Sequence, residues 1–398
     1  MQETPKSNRL HIAIFGRRNA GKSSLINAIS GQDIALVSNV AGTTTDPVYK
    51  TMELLPLGPI VLIDTAGLDD IGEIGELRIK KTREVMDKTD LAILLFSAES
   101  NDYSLEKEWL SELRERKIPV IGVINKIDNA VSSFQNVDVD GLFDIPFVRV
   151  SAKERINIGK LKEAIQTHSP IDFERETIVG DIIKPKDIVI LVAPQDIQAP
   201  KGRLILPQVQ VLRDLLDNDT LALTVKLTEL PDMLSALVRK PDLVITDSQV
   251  FHKVNAILPP EIPLTSFSIL LARYKGDLEL LVKGAKSINS LKPGDKVLIA
   301  EACTHHALHG DIGREKLPGW LNSKAGGDLD ITVVAGVDFP EDLSEYKLIL
   351  HCGGCKFNRK QFLTRLIRAS EQNVPITNYG TAIAELNGML DRTTELLL

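Results

Sequence analysis

Short apolar runs alternate with longer segments of helical period along nearly the whole chain, which is the pattern of parallel α/β sheets. Residues 11–15 (HIAIF), 60–63 (IVLI), 91–96 (LAILLF), 119–124 and 146–150 read as strands, with helices predicted over 22–30, 72–88, 104–116 and 157–168. The stretch 169–187, rich in Pro, charge and polar residues, reads as a linker. A second series then places strands at 188–194, 220–226, 242–246 and 264–267, and helices at 207–217, 229–239 and 248–257. A third opens with one long helix over 268–290. It continues with strands at 296–300, 330–335 and 346–350, helices around 314–324 and over 358–372, a short strand near 375 and a final helix from 380.

The chain has 398 residues, which at roughly 150 residues per domain suggests two or three domains. Their middle series is small for an independent core, so docking against a second copy is expected. Lys and Arg number 47 against 54 Asp and Glu, for a net charge of −7, which argues against a nucleic-acid partner. The longest apolar runs, Leu91 to Phe96 and Ile118 to Ile124, have strand length, so no membrane partner is expected. The opening MQETPKSNRL lacks a signal-peptide core, and a cytoplasmic protein is expected. In that compartment the three cysteines serve as metal ligands or thiols rather than disulfides.

Gly16-Arg17-Arg18-Asn19-Ala20-Gly21-Lys22-Ser23 matches the phosphate-binding pattern GxxxxGK[ST] between a strand and a helix. Backbone N–H groups over Asn19, Ala20, Gly21, Lys22, Ser23 and Ser24 can hold phosphate oxygens. Lys22 should reach the β- and γ-phosphates and Ser23 should ligate Mg2+. Asp64-Thr65-Ala66-Gly67 follows the strand IVLI, where Asp64 can hold a Mg2+ water and the Gly67 amide can contact the γ-phosphate. Asn125-Lys126-Ile127-Asp128 follows the next strand but one, and the Asp128 carboxylate can accept from guanine N1–H and N2–H2, a donor pair adenine lacks. Ser151-Ala152-Lys153 supplies backbone contact at O6. Four such turns in this order make the nucleotide GTP.

Gly42-Thr43-Thr44-Thr45-Asp46 resembles the first switch loop of the TrmE–Era–EngA group of small GTPases, which implies that Thr44 ligates Mg2+. That group often has Arg after the threonines, where Thr45 stands here. Leu68 follows the Asp64 motif and cannot orient an attacking water as a Gln does, so slow turnover is expected. Asn19 matches the P-loop Asn that helps bind K+ in TrmE-like enzymes, and it could also serve only as a loop residue tolerant of left-handed backbone. The residues expected to act in hydrolysis are Asn19, Lys22, Thr44, Asp64 and Gly67.

The last constellation is Cys303-Thr304-His305 and, beyond an intervening segment, His351-Cys352-Gly353-Gly354-Cys355. Each cysteine group follows a strand, and in a parallel sheet the carboxyl ends of strands face one crevice, where the two loops can meet. Three thiolates with a nearby His suit zinc or an iron–sulfur cluster, and spacing alone does not choose. A TrmE-like GTPase followed by CxH and HCxxC resembles the HydF family of [FeFe]-hydrogenase maturation GTPases over essentially the whole chain. That resemblance implies an α/β protein with a P-loop GTPase domain (1–170), a dimerisation domain (180–266) and an iron–sulfur domain (267–398), the last two with mainly parallel sheets. It implies a scaffold that carries a [4Fe–4S] cluster and a precursor of the 2Fe subcluster, which it delivers to apo-[FeFe]-hydrogenase. Radical-SAM maturation enzymes and further copies of the chain are the other partners implied. Cys303, Cys352 and Cys355 become the cluster ligands, with His305 or His351 a candidate for the fourth iron and His306, His309 and Glu301 near enough in sequence to compete. The runner-up is a TrmE/Era-like GTPase of RNA modification or ribosome assembly carrying a structural zinc site.

Overall fold

The computed structural model describes residues 5–31, 47–67, 73–97, 102–129, 139–170, 177–194, 204–302 and 311–398. The chain divides into two compact units, Met1–Phe173 with Asn358–Gln361, and Glu174–Phe357 with Phe362–Leu398.

In the first unit β1 (Leu10–Gly16), α1 (Lys22–Ser30), β2 (Val48–Leu54), β3 (Gly58–Asp64), α2 (Glu73–Met86), β4 (Leu91–Ser97), α3 (Ser104–Glu115), β5 (Val120–Asn125), α4 (Val139–Phe143), β6 (Phe147–Arg149) and α5 (Ile158–His168) follow in order. The sheet runs β2, β3, β1, β4, β5, β6, parallel except for β2. Its central strands are apolar at successive positions because both faces are covered. Ile12, Ile14, Ile93 and Leu95 pack with Leu25, Ile29, Leu161 and Ile165 of α1 and α5. Ala13, Phe15, Leu94 and Phe96 pack with Val85, Met86, Trp109 and Leu113 of α2 and α3. Strand β2 was not expected. Its VYKTMEL run is half-exposed along most of its length, so no continuous apolar stripe marks it, and its pairing with β3 from Val48 opposite Asp64 to Leu54 opposite Gly58 defines it instead.

The second unit holds β7 (Ile188–Val192), α6 (Leu206–Asp217), β8 (Leu221–Val225), α7 (Leu230–Ala236), β9 (Leu243–Thr246), α8 (Phe251–Ile257), β10 (Leu264–Ser266), α9 (Phe267–Lys275) and α10 (Leu278–Lys286). It continues with β11 (Lys296–Glu301), α11 (Leu317–Ala325), β12 (Asp330–Ala335), β13 (Leu348–His351), α12 (Arg359–Glu371), β14 (Ile376–Asn378), α13 (Tyr379–Leu386) and α14 (Leu390–Thr394). Two four-stranded parallel sheets result, ordered β10, β9, β7, β8 and β12, β11, β13, β14. One continuous core joins them, in which Val189, Leu191, Leu243 and Ile245 of the first sheet share a cluster with Leu298, Ile349 and Leu350 of the second. Phe267, Leu270, Leu281 and Ala285 of α9 and α10 belong to the same cluster. On the other face of the first sheet Ile190, Val192 and Val244 pack with Leu230, Val254, Leu258 and Met389.

Two expectations are corrected here. The long helix over 268–290 is two helices, because Gly276 and Asp277 end one and cap the next: the Gly276 N–H donates to Ala272 O and the Asp277 carboxylate accepts from Leu280 N at 3.0 Å. A Cβ on Gly276 would lie 2.7 Å from a Phe362 ring carbon, so the break is also a point of close packing. The stretch 169–187 is not a linker throughout. Ile178 and Val179 are buried in the core of the second unit, and the N–H groups of Val179 and Gly180 donate to the Asp214 carboxylate. Among the described residues no helix is long and apolar enough to cross a membrane.

Candidate functional site

The phosphate-binding loop connects β1 to α1. Gly21 has φ +96° and caps the helix, and a Cβ there would fall 2.3 Å from Asn125 Nδ2, so only glycine fits. Lys22 is buried, its Nζ donating to the Gly16 and Arg17 carbonyls at 2.9 and 3.0 Å, which holds the ammonium inside the loop. With no acidic residue in its first turn, α1 presents its N–H groups and positive dipole end to the loop. Ser23 Oγ donates to Asp64 Oδ2 at 2.5 Å, bringing together the two residues read as serving Mg2+. Burial raises the Asp64 carboxyl above its ordinary value against the pull of Ser23 and Lys22. Thr65 Oγ1 donates to Ile14 O at 2.7 Å and ties the ends of β3 and β1 together, with Ala66 and Gly67 directly after. Asn19 has φ +58°. Ser24 follows Ser23 on the exposed side of α1.

Asn125 does more than sequence reasoning assigned to it. It is buried, its Nδ2 donates to Ala20 O at 3.0 Å, and its Oδ1 accepts from Ala152 N at 3.0 Å. One amide therefore braces the phosphate loop against the Ser151-Ala152-Lys153 turn. Lys126 has φ +67°, and Asp128 stands exposed beyond it. The Ser151 hydroxyl, buried and accepting from Glu154 N, holds the Asp128 carboxyl below its ordinary value, helped by Lys153 and Lys126. A carboxylate so poised stays ionised and accepts hydrogen bonds. Sequence reasoning missed Arg17, which donates to buried Glu106 at 2.9 Å and to Asp102 O at 2.9 Å, pinning the outer side of the loop to α3. Thr44, with the rest of residues 42–46, and Leu68 lie outside the described residues.

In the second unit the adjacent parallel strands β11 and β13 are in register, with Ala300 beside His351. Cys352 N donates to Ala300 O at 2.9 Å, and Ala302 N donates to Cys352 Sγ at 3.0 Å. The register thus sets Ala302, the residue before Cys303, beside Cys352 at one sheet end. Cys303, His305, His306 and His309 lie outside the described residues, and among the described ones no group of three His, Cys, Asp or Glu is set to hold a metal. Cys352 and Cys355 are half-buried thiols on one turn, in which Gly354 takes φ +60° and Phe357 N donates to Gly354 O. Two thiols on a tight turn, one already accepting a backbone N–H, suit a thiolate-ligated metal centre.

His351 is fully buried, and both its ring nitrogens are engaged. Arg365, which can only donate, gives Nη1–H to Nε2 at 3.1 Å, so Nδ1 carries the proton and donates to Cys352 O at 2.7 Å. Burial, and then the Arg365 charge, push its pKa down to about 3. Ligation by His351 through Nε2 would break the Arg365 bond and leave the Nδ1–H donation to Cys352 O in place. Glu301 is 2% exposed, with Oε2 accepting from Arg314 at 2.8 and 3.2 Å, while its Oε1 and the Tyr379 hydroxyl are buried without hydrogen-bond partners. Burial raises the Tyr379 pKa, and negative charge at Cys352, Glu301 and Asp311 adds to it.

Residues 11–126 match the family 50S ribosome-binding GTPase, residues 178–276 the Hydrogen maturase F dimerization domain, and residues 279–396 the Hydrogen maturase F tetramerization domain. Among curated proteins, tRNA modification GTPase MnmE of Acinetobacter baumannii is 36% identical over 175 residues, 43% of this chain and 37% of that protein. GTPase Der of Nautilia profundicola is 35% identical over 165 residues, 39% of this chain and 36% of that protein. The chain thus spans less than two fifths of either relative's length. Solved structures include Era in complex with MgGDPNP and nucleotides 1506–1542 of 16S ribosomal RNA, at 20% identity and TM-score 0.37 over 56% of this chain and 95% of that one. Another is NFeoB from S. thermophilus bound to GDP.AlF4- and K+, at 21% identity and TM-score 0.33 over 40% of this chain and 62% of that one. The two Hydrogen maturase F domains lie in order behind a GTPase domain and together cover more than half of the sequence, so the chain belongs to the hydrogen maturase F (HydF) family.

Proposed function

We propose that this GTPase is a scaffold that binds a [4Fe–4S] cluster and assembles or delivers the 2Fe subcluster precursor to apo-[FeFe]-hydrogenase, working with radical-SAM maturation enzymes in the cytoplasm. The observation that carries the reading is the juxtaposition of Cys352, on its tight turn with Cys355, and Ala302, the neighbour of Cys303, at the end of two paired strands. Cys303, Cys352 and Cys355 would hold three irons, and the cluster supplies a redox-active, ligand-exchanging iron. His305 or His351 is the protein candidate for the fourth iron, and His351 would first have to give up the bond its Nε2 accepts from Arg365. The division into GTPase (1–170), dimerisation (180–266) and iron–sulfur (267–398) regions belongs to the same reading, as does self-association through the domains named for dimerization and tetramerization.

At the nucleotide, Lys22 and the loop N–H groups hold the phosphates, and Ser23, Thr44 and Asp64 serve Mg2+. Asp128 selects guanine, Ser151 to Lys153 border the base, and Asn125 keeps the two loops in register. Turnover is slow, with Leu68 in place of a water-orienting side chain, and Asn19 contributes to K+ stimulation. The test is anaerobic purification of the full chain followed by iron, sulfide and zinc analysis. Cys303→Ala, Cys352→Ala and Cys355→Ala should each lose iron and the thiolate-to-iron absorption near roughly 400 nm, and keep GTP hydrolysis. One zinc per chain with no sulfide would replace the cluster by a structural zinc site.

A further inference from the structure

Lys275, the last residue of α9, is 2% exposed, and its ammonium is turned onto the cysteine turn. Nζ donates to Phe357 O at 3.0 Å, to Gly354 O at 3.3 Å and to Cys355 O at 3.5 Å. Three carbonyls of one four-residue stretch therefore converge on one buried cation. The next residue is Gly276, whose missing side chain makes room for Phe362, since a Cβ there would lie 2.7 Å from that ring. A second buried cation, Arg365 of α12, reaches the same turn through His351 and lies over the Phe357 ring at 4.5 Å. The turn that bears Cys352 and Cys355 is thus set between two cations supplied by different helices.

Buried charge is costly unless another charge or a set of dipoles offsets it. Carbonyl dipoles satisfy the hydrogen bonding of Lys275, and thiolate-bound iron–sulfur clusters are anionic and become more so on reduction. We infer that Lys275 is the positioning residue of the cysteine turn: it fixes the carbonyls of Gly354, Cys355 and Phe357, and its charge favours the reduced over the oxidised cluster. This rests on the proposed ligation by Cys352 and Cys355.

The experiment reconstitutes the full chain anaerobically with ferrous iron and sulfide and compares the parent with Lys275→Met and Lys275→Arg. It reads iron per chain and the reduced fraction of the cluster in a potentiometric titration. Lys275→Met should bind less iron, and in what cluster it retains the ratio of reduced to oxidised form at fixed potential should fall about tenfold. Lys275→Arg should recover both quantities in large part, because it keeps the charge and the donors. Because Lys275 lies in the second unit and the nucleotide motifs in the first, folding is read from far-UV circular dichroism and the thermal transition of the second unit, both unchanged in the two variants. A Met variant that matches a loaded parent in iron and reduced fraction overturns the inference alone. So does equal loss in Met and Arg variants, which would make the side chain's shape the only thing that counts. A parent that takes up no iron or sulfide overturns the cluster reading, and this inference falls with it.

Discussion

The proposed role of Asp128 puts the choice of base on a single carboxylate, so Asp128→Asn should abolish the preference for GTP over ATP, a loss of about tenfold or more in relative affinity. Competition binding with both nucleotides checks it. Asn125 is different in kind, because it serves two buried partners, Ala20 O and Ala152 N, at once. Asn125→Ala should cost about 1–3 kcal/mol through the groups left unpaired, seen as a lower Tm together with weakened GTP binding. Hydrolysis should run faster in K+ than in Na+ at matched ionic strength, and Asn19→Ala should remove the difference; equal rates in both salts for the parent would leave Asn19 as a left-handed loop residue and no more. The motif residues are legible in the sequence because each motif is local, a strand end followed by a few residues whose chemistry is specific. Their supports are not. Arg17 meets Glu106 across 89 positions, Lys275 meets Phe357 across 82, and neither spacing leaves a trace in a local pattern.

The strands and helices that periodicity marks best are those buried on both faces or along one clear stripe, such as β4 with Leu91 to Phe96 wholly buried. The half-exposed edge strand β2 escaped the same reasoning because its sequence alternates only weakly. The run from Phe267 to Ser290 misleads in the opposite direction: its apolar residues keep helical spacing across Gly276 and Asp277, although glycine followed by aspartate is a stop and a start signal. Asp277 caps α10, whose Leu278, Leu281, Val282 and Ala285 face the core. Asp277→Ala should therefore remove about 1 kcal/mol and lower the Tm of the second unit by about 2–4 °C, as thermal denaturation would record. Two separate helices, rather than one long one, also let the end of α9 point Lys275 at the cysteine turn while α10 lies against β14.

Nothing in the hydrophobic pattern says what covers an apolar face, so the joining of the second and third sheets into one core could not be read from it. The structure makes that joining the dominant feature of residues 177–398. A chain lacking residues 1–170 should accordingly fold, melt in a single transition and remain dimeric or larger; light scattering that shows a monomer would count against self-association through these domains. The shared core also limits how such a protein can be rearranged. The family boundary falls between residues 276 and 279, yet Leu191 and Ile245 before it and Leu281 and Ile349 after it belong to one cluster. A chimera spliced at that boundary would join two half-cores that had never been fitted to each other, whereas a splice near residue 174 leaves each core whole. Recombination among relatives, natural or designed, should therefore pass on the two later domains as a single heritable block, with the GTPase free to be exchanged.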